Sequence, residues 1–225
     1  MGGTHIAGRV MDLYQRAAGG LAHDELLVAS GNSKRPSQWS RDGRFIVYQE
    51  NDPKTKWDIW VLPIDTGAER KPAPFLHSEF NELHGQLSPD SHWMAYTSDK
   101  TGQREVYVVA FPSGEGETKI SIAGGEQPRW RRNGKELFFV GRDGKMMAVA
   151  VKAVAGVKPS FEPETPQPLF DVRLPVMGRS SVFEYDVTAD GKRFLLTNEG
   201  GFATGRSTSV PPLTAVVNWD AGLKK

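Results

Sequence analysis

Gln86-Leu87-Ser88-Pro89-Asp90-Ser91-His92-Trp93-Met94-Ala95-Tyr96 sets a polar residue and a turn signal in front of an apolar run. Ser and Asp side chains bond nearby backbone and tolerate the positive φ of a tight turn, so the segment reads as a β-hairpin. The pattern returns as Gln38-Trp39-Ser40-Arg41-Asp42-Gly43, as Arg129-Trp130-Arg131-Arg132-Asn133-Gly134 and as Asp186-Val187-Thr188-Ala189-Asp190-Gly191, in register without a gap. A cation or His and then an apolar strand follow each copy, over 44–48, 92–96, 135–139 and 192–196. Third strands are expected at 58–62, 105–109, 146–151 and 214–219, and weaker fourth strands at 74–77, 118–123 and 166–170.

The copies recur at intervals of about 43 to 57 residues, the length of one four-stranded unit in radial repeat architectures. The fold class expected is therefore all-β: a β-propeller of four-stranded antiparallel blades, about four and a half blades per chain. The chain divides as one propeller domain over 1–225, with a half blade at 1–33, blades at 34–80, 81–124 and 125–178, and a blade at 179–225 lacking its last strand. The half blade is inferred because Asp12-Leu13-Tyr14 matches Asp58-Ile59-Trp60, with 25–29 then matching a fourth strand. Two closures follow: 25–29 completes the last blade within one monomer, or copies associate into a larger ring. The segment 200–210, rich in Gly, Ser and Thr, reads as a long loop inside the last blade, and 152–168 as a wandering outer strand.

Composition narrows the function classes. With 28 basic against 27 acidic residues the formal charge is +1, so no global field draws the chain to nucleic acid or a membrane surface. The absence of cysteine removes disulfides, thiolate nucleophiles and cysteine metal sites. The start lacks the form of a signal peptide and no apolar run is long enough to span a bilayer, so the chain as written is expected to be cytoplasmic. No Gly-x-Ser-x-Gly elbow, Walker loop or His-Glu-x-x-His motif is present.

Ser88-Pro89-Asp90-Ser91-His92-Trp93-Met94-Ala95-Tyr96-Thr97-Ser98-Asp99, Glu105-Val106-Tyr107-Val108, and Gly124-Gly125-Glu126-Gln127-Pro128-Arg129-Trp130 with Gly134-Lys135-Glu136-Leu137-Phe138-Phe139 resemble the TolB-like propeller repeats. Those repeats occur alone and at the C-terminal end of bacterial serine/threonine kinases, and the ending 219–225 also resembles such C-termini. No glycine-rich phosphate loop, His-Arg-Asp or Asp-Phe-Gly occurs here, so the resemblance concerns the propeller part, cut inside its ring. It implies a fold; sensors, scaffolds and occasional enzymes share it.

Inner strands of a propeller line its channel, so the residues before each turn are the candidate ligand-binding set: Gln38, His84, Gln86, Glu126, Gln127, Arg129, Glu184 and Asp186. The intervening Trp39, Leu87, Trp130 and Val187 read as packing between blades, and Trp60, Tyr107 and Tyr14 as one aligned packing slot. His77, Glu79, Asn81, Glu82 and His84 cluster locally with donors that suit zinc or calcium, against the plainer reading of a solvated loop. The expected cation ligands are Glu82, His84, Glu126 and Glu184, with Glu126 and Glu184 alternatively bridging to Arg129 or Arg35. His92, Asp42, Asp90 and Asp190 are turn residues. Two functions stay open. One is a non-catalytic module holding a peptide, protein or small molecule at the channel and self-associating to complete its ring. The other is a metal-dependent hydrolase of esters, lactones or phosphoesters with its site in the channel.

Overall fold

The structure, a computed structural model, describes residues 10–18, 23–64, 70–154, 160–172 and 181–197. Every regular element there is a strand, and no helix is long and apolar enough to cross a membrane. The third strand expected at 214–219 and the loop expected at 200–210 lie outside the described residues.

Three complete blades follow one another. The first is β3 (Ser33–Trp39), β4 (Phe45–Asp52), β5 (Lys56–Pro63) and β6 (Ala73–Leu76). The second is β7 (Glu82–Leu87), β8 (Trp93–Ser98), β9 (Glu105–Ala110) and β10 (Thr118–Lys119). The third is β11 (Gly125–Trp130), β12 (Glu136–Gly141) and β13 (Lys145–Val154), with β14 (Ser160–Pro163) and β15 (Gln167–Asp171) both pairing to β13. The expected wandering outer strand is thus two short strands on one long one. Two-stranded sheets flank the set: β1 (Leu13–Gln15) with β2 (Glu25–Val28), and β16 (Tyr185–Val187) with β17 (Phe194–Leu196). By their place in the repeat, β1 and β2 are the third and fourth strands of a blade, and β16 and β17 the first and second.

Local chemistry explains the hairpins. Ser40 Oγ donates to Asp42 Oδ1 at 2.7 Å and accepts from the Phe45 N–H at 2.8 Å, while the Arg44 N–H donates to Asp42 Oδ1 at 3.1 Å. Thr188 and Asp190 repeat this closure with Arg193 and Lys192. Gly43 turns with φ +75°, and Ser91 takes the same left-handed conformation at φ +58°. The acidic tips and exposed His92 are turn residues, as their repetition predicts.

Each blade buries one face against the next. Met94, Tyr96 and Tyr107 of the second blade meet Val47 and Ile59 of the first, and Trp93 and Val108 meet Trp130 and Phe139 of the third. Phe138 and Val140 continue against Tyr185, and Leu13 and Val28 pack on Ile46, Tyr48 and Leu62. The packing slots hold with two exceptions: Tyr14 is exposed, and Trp39 is 50% exposed although its equivalents Leu87 and Trp130 are 1% and 8%. Both exceptions border the β1–β2 sheet, where the first two strands of a blade are missing among the described residues.

Candidate functional site at the blade hub

Every complete inner strand carries a bulge at one place. Ladder register shifts between Pro36 and Gln38, between Leu83 and Gln86, and between Glu126 and Arg129. At the bulges of the second and third blades His84 and Gln127 adopt φ +57° and +59°, conformations that L side chains avoid. The first blade has Pro36 in that position, whose ring fixes φ near −65°.

The neighbouring blade holds each strained residue. Gln49 Oε1 accepts the His84 N–H at 2.6 Å, and Thr97 Oγ1 accepts the Gln127 N–H at 3.1 Å. Gln49 and Thr97 sit at the same repeat position of β4 and β8. In β12 that position is Val140, which offers no acceptor; Gln127 reaches forward instead and its Oε1 accepts the Glu184 N–H at 2.7 Å. Gln38 makes a similar two-way clamp on the backbone of Leu87, at 3.2 and 2.6 Å. Most of the polar inner positions thus serve as buried cross-links between blades.

The described part of the axis is filled by the chain itself. Residues 181–184, leading into β16, touch all three complete blades. Gln49 Nε2 donates to the Ser181 carbonyl at 2.6 Å, and Arg35 donates to Ser181 Oγ. The His84 ring lies 5.2 Å from Phe183, and the Arg129 guanidinium stacks 3.9 Å over it. Burial pushes the fully enclosed His84 imidazole down to about 3, so it stays neutral, and burial also lowers the Arg129 pKa. Glu184 is raised by burial, opposed by its bond from Gln127.

The expected ligand set is therefore divided. His84, Gln127 and Glu184 are sealed in the hub; Glu126 pairs with Arg104, where Arg129 or Arg35 was expected; and Arg129 faces Asp186 at 3.8 Å. Gln38 and Gln86 line a depression of about 360 Å³ where all four inner strands end, with Arg41, Trp130, Arg132 and Thr188. Glu126 walls a second, of about 470 Å³, with Asn81, Asp99, Gln103, Arg104 and Arg142. The expected cation set of Glu82, His84, Glu126 and Glu184 is not brought together: Glu82 bonds Ser78, His84 bonds Thr97, Glu126 bonds Arg104 and Glu184 bonds Gln127. Among the described residues no group of three His, Asp or Glu converges. The local cluster disperses in the same way: Asn81 bonds Asp99 at 2.6 Å, Glu79 is exposed, and His77 lies 3.6 Å from Asp58.

Sequence reasoning named Glu82 but missed Asp58, which is buried with it at the junction of the first two blades. Ser78 Oγ donates to Glu82 Oε1 and Thr55 Oγ1 to Asp58 Oδ2, each at 2.6 Å, but Glu82 Oε2 and Asp58 Oδ1 have no hydrogen-bond partner. Burial, reinforced by the Asp58 charge, pushes Glu82 up to about 7. A carboxyl whose folded pKa exceeds its ordinary 4.5 stabilises the fold below that value and loses this contribution as pH rises through about 7. His84, depressed from 6.5, acts in the opposite sense as pH falls, so the whole-protein profile mixes the two. Glu82→Gln isolates the first: its melting temperature relative to the parent is expected to climb between pH 5 and pH 8, measured without divalent ions. A flat difference would refute the assignment.

A further open concavity, about 720 Å³, lies between the β1–β2 sheet and the first blade and includes Leu13, Tyr14, Leu27, Trp39 and Ile46.

No family model matches the chain. The fold is that of TolB propellers. TolB from Acinetobacter baumannii superposes with a TM-score of 0.54 at 18% identity, over 80% of this chain and 41% of that one. A TolB-assigned chain from Agrobacterium tumefaciens gives 0.50 at 18% identity, over 71% and 60%. Among curated sequences, an uncharacterised protein of Agrobacterium fabrum is 28% identical over 106 residues, 47% of this chain and 35% of its own length. An uncharacterised peptidase of Bacillus subtilis is 28% identical over 109 residues, 45% of this chain and 16% of its own. The chain thus spans a minor part of both.

Proposed function

We propose that this propeller is a non-catalytic protein-binding module whose principal surface is the groove beside Trp39, and that a second copy of the chain fills it. The observation that carries this reading is the half-exposed Trp39 in a repeat position that is buried against the neighbouring blade elsewhere. The groove has the place of a blade's first two strands, and β16–β17 are such a pair. Among the described residues β1 pairs only with β2 and β17 only with β16, so each offers an edge to the other by strand addition. Head-to-tail joining makes a hybrid blade and repeats until the ring closes. The hub mouth with Gln38, Gln86, Arg41 and Arg132 then serves as the surface for a peptide or small ligand. The hydrolase reading lacks a converged ligand set among the described residues.

Light scattering on the purified chain tests the reading. A dimer or larger closed species is expected, with Trp39→Asp monomeric and still β-folded by circular dichroism. An aromatic anchor at an interface centre contributes upwards of about 2 kcal/mol, roughly a thirtyfold weakening of association when lost. A parent chain that stays monomeric at about 100 µM, far above the micromolar range of ordinary specific interfaces, overturns self-association.

A further inference from the structure

The junctions between successive blades repeat one design with different side chains. In the first, the buried Lys34 ammonium lies in a cradle of three oxygens: Asp12 Oδ1 at 3.1 Å, Ser30 Oγ at 2.7 Å and the Asn32 carbonyl at 2.7 Å. Lys34 stands four residues before Gln38 and pairs across the ladder with Glu50; Glu82 stands four before Gln86 and pairs with Ser98. Asp12 corresponds to Asp58, and Ser30 to Ser78. The turn is the same too, since the Asn32 N–H bonds Ser30 Oγ and the Phe80 N–H bonds Ser78 Oγ, both at 3.1 Å. The second junction therefore repeats the cradle but has a carboxylate where the first has the ammonium. In the third junction that position is Gly125, and the acid Glu105 is satisfied by Ser121 Oγ and the Gly124 N–H.

Two carboxylates that are 1% and 5% exposed, each with one buried oxygen lacking any partner, stand where the first junction has an acid and an ammonium, and the half-exposed His77 lies 3.6 Å from the other Asp58 oxygen. An all-oxygen set of two carboxylates, the Ser78 hydroxyl and the Phe80 carbonyl, which corresponds to the Asn32 carbonyl of the first cradle, suits a hard divalent ion.

We propose that Asp58, Glu82, Ser78 Oγ and the Phe80 carbonyl form a calcium site that does at the second junction what Lys34 does at the first. It is separate from the groove and from the hub. With only two charged ligands and the rest neutral, its affinity belongs to the weak class, Kd of about 10⁻⁴–10⁻³ M.

The test is the melting temperature of the chain at pH 8 with and without 10 mM calcium chloride, against sodium chloride of equal ionic strength. Calcium is expected to raise it by about 3–10 °C. Glu82→Lys, which installs the ammonium of the first junction beside Asp58, is expected to melt higher than the calcium-free parent and to lose the calcium response. Should that variant fail to fold, calorimetric titration of the parent and Glu82→Gln decides: one calcium ion per chain, bound at least tenfold more weakly by the variant. No calcium effect on the parent, an equal effect of magnesium, or an undiminished response in Glu82→Lys or Glu82→Gln overturns the site.

Discussion

Lys34→Ala is expected to lower the stability of the chain by about 3–5 kcal/mol, the cost of removing one partner from a buried ion pair. The Lys34 side chain is fully enclosed, and its ammonium satisfies the Asp12 carboxylate, the Ser30 hydroxyl and the Asn32 carbonyl together. Truncation removes the cation facing Asp12 and opens the space that the aliphatic stem fills. For a domain of this size the loss corresponds to a fall in melting temperature of about 6–20 °C. Charge and volume are separable. Lys34→Met retains most of the stem and is expected to remain strongly destabilised, whereas Lys34→Met combined with Asp12→Asn recovers a large part of the loss, because the carboxylate that the ammonium contacts is neutralised with it. A single-variant loss below about 1 kcal/mol, the level of an exposed pair, would show that the ammonium is not engaged as described.

The second large effect is expected at Gln49. Its amide accepts from the His84 N–H and donates to the Ser181 carbonyl, both at 2.6 Å and both buried. Gln49→Ala leaves two enclosed backbone groups without partners, at about 1–3 kcal/mol each, for a total of about 2–6 kcal/mol. The loss is local in a way that hydrogen exchange reads. The His84 amide is expected to lose protection while the Gln127 amide, held by Thr97, keeps it. Equal loss at both amides would mean general softening and would refute the clamp.

The repeat was legible because its signals are local. Ser40 with Asp42 and Thr188 with Asp190 close their turns through side-chain to backbone bonds two to five residues away, so the sequence itself contains both partners. The candidate site was legible only in part. Alternation singled out Gln38, His84, Gln127 and Glu184 as inward candidates, but polarity there marks either a ligand or a cross-link, and the deciding partner is a strand of another blade. One signal was present: Gln49, Thr97 and Thr197 stand eleven residues after the aligned Gln38, Gln86 and Asp186, within strand segments that are otherwise largely apolar. A polar residue recurring in a core strand announces a buried acceptor or donor. The Asp58–Glu82 pair was hidden for another reason. Its two carboxylates are distant in sequence, and only the comparison with Lys34 and Asp12 in space shows that an acid stands where the first junction has an ammonium.

Val140 has a consequence for how such rings change by recombination. Because β12 lacks the acceptor that β4 and β8 provide, the blade after the third is held by Gln127. A duplicated second blade brings Thr97 as the acceptor for the residue behind it, whereas behind a duplicated third blade the same amide has the inner-strand Gln127 to bond, as Glu184 does. Blade order is thus written in the joints, and insertions that respect the donor–acceptor sequence of neighbours are the ones such a propeller can accept.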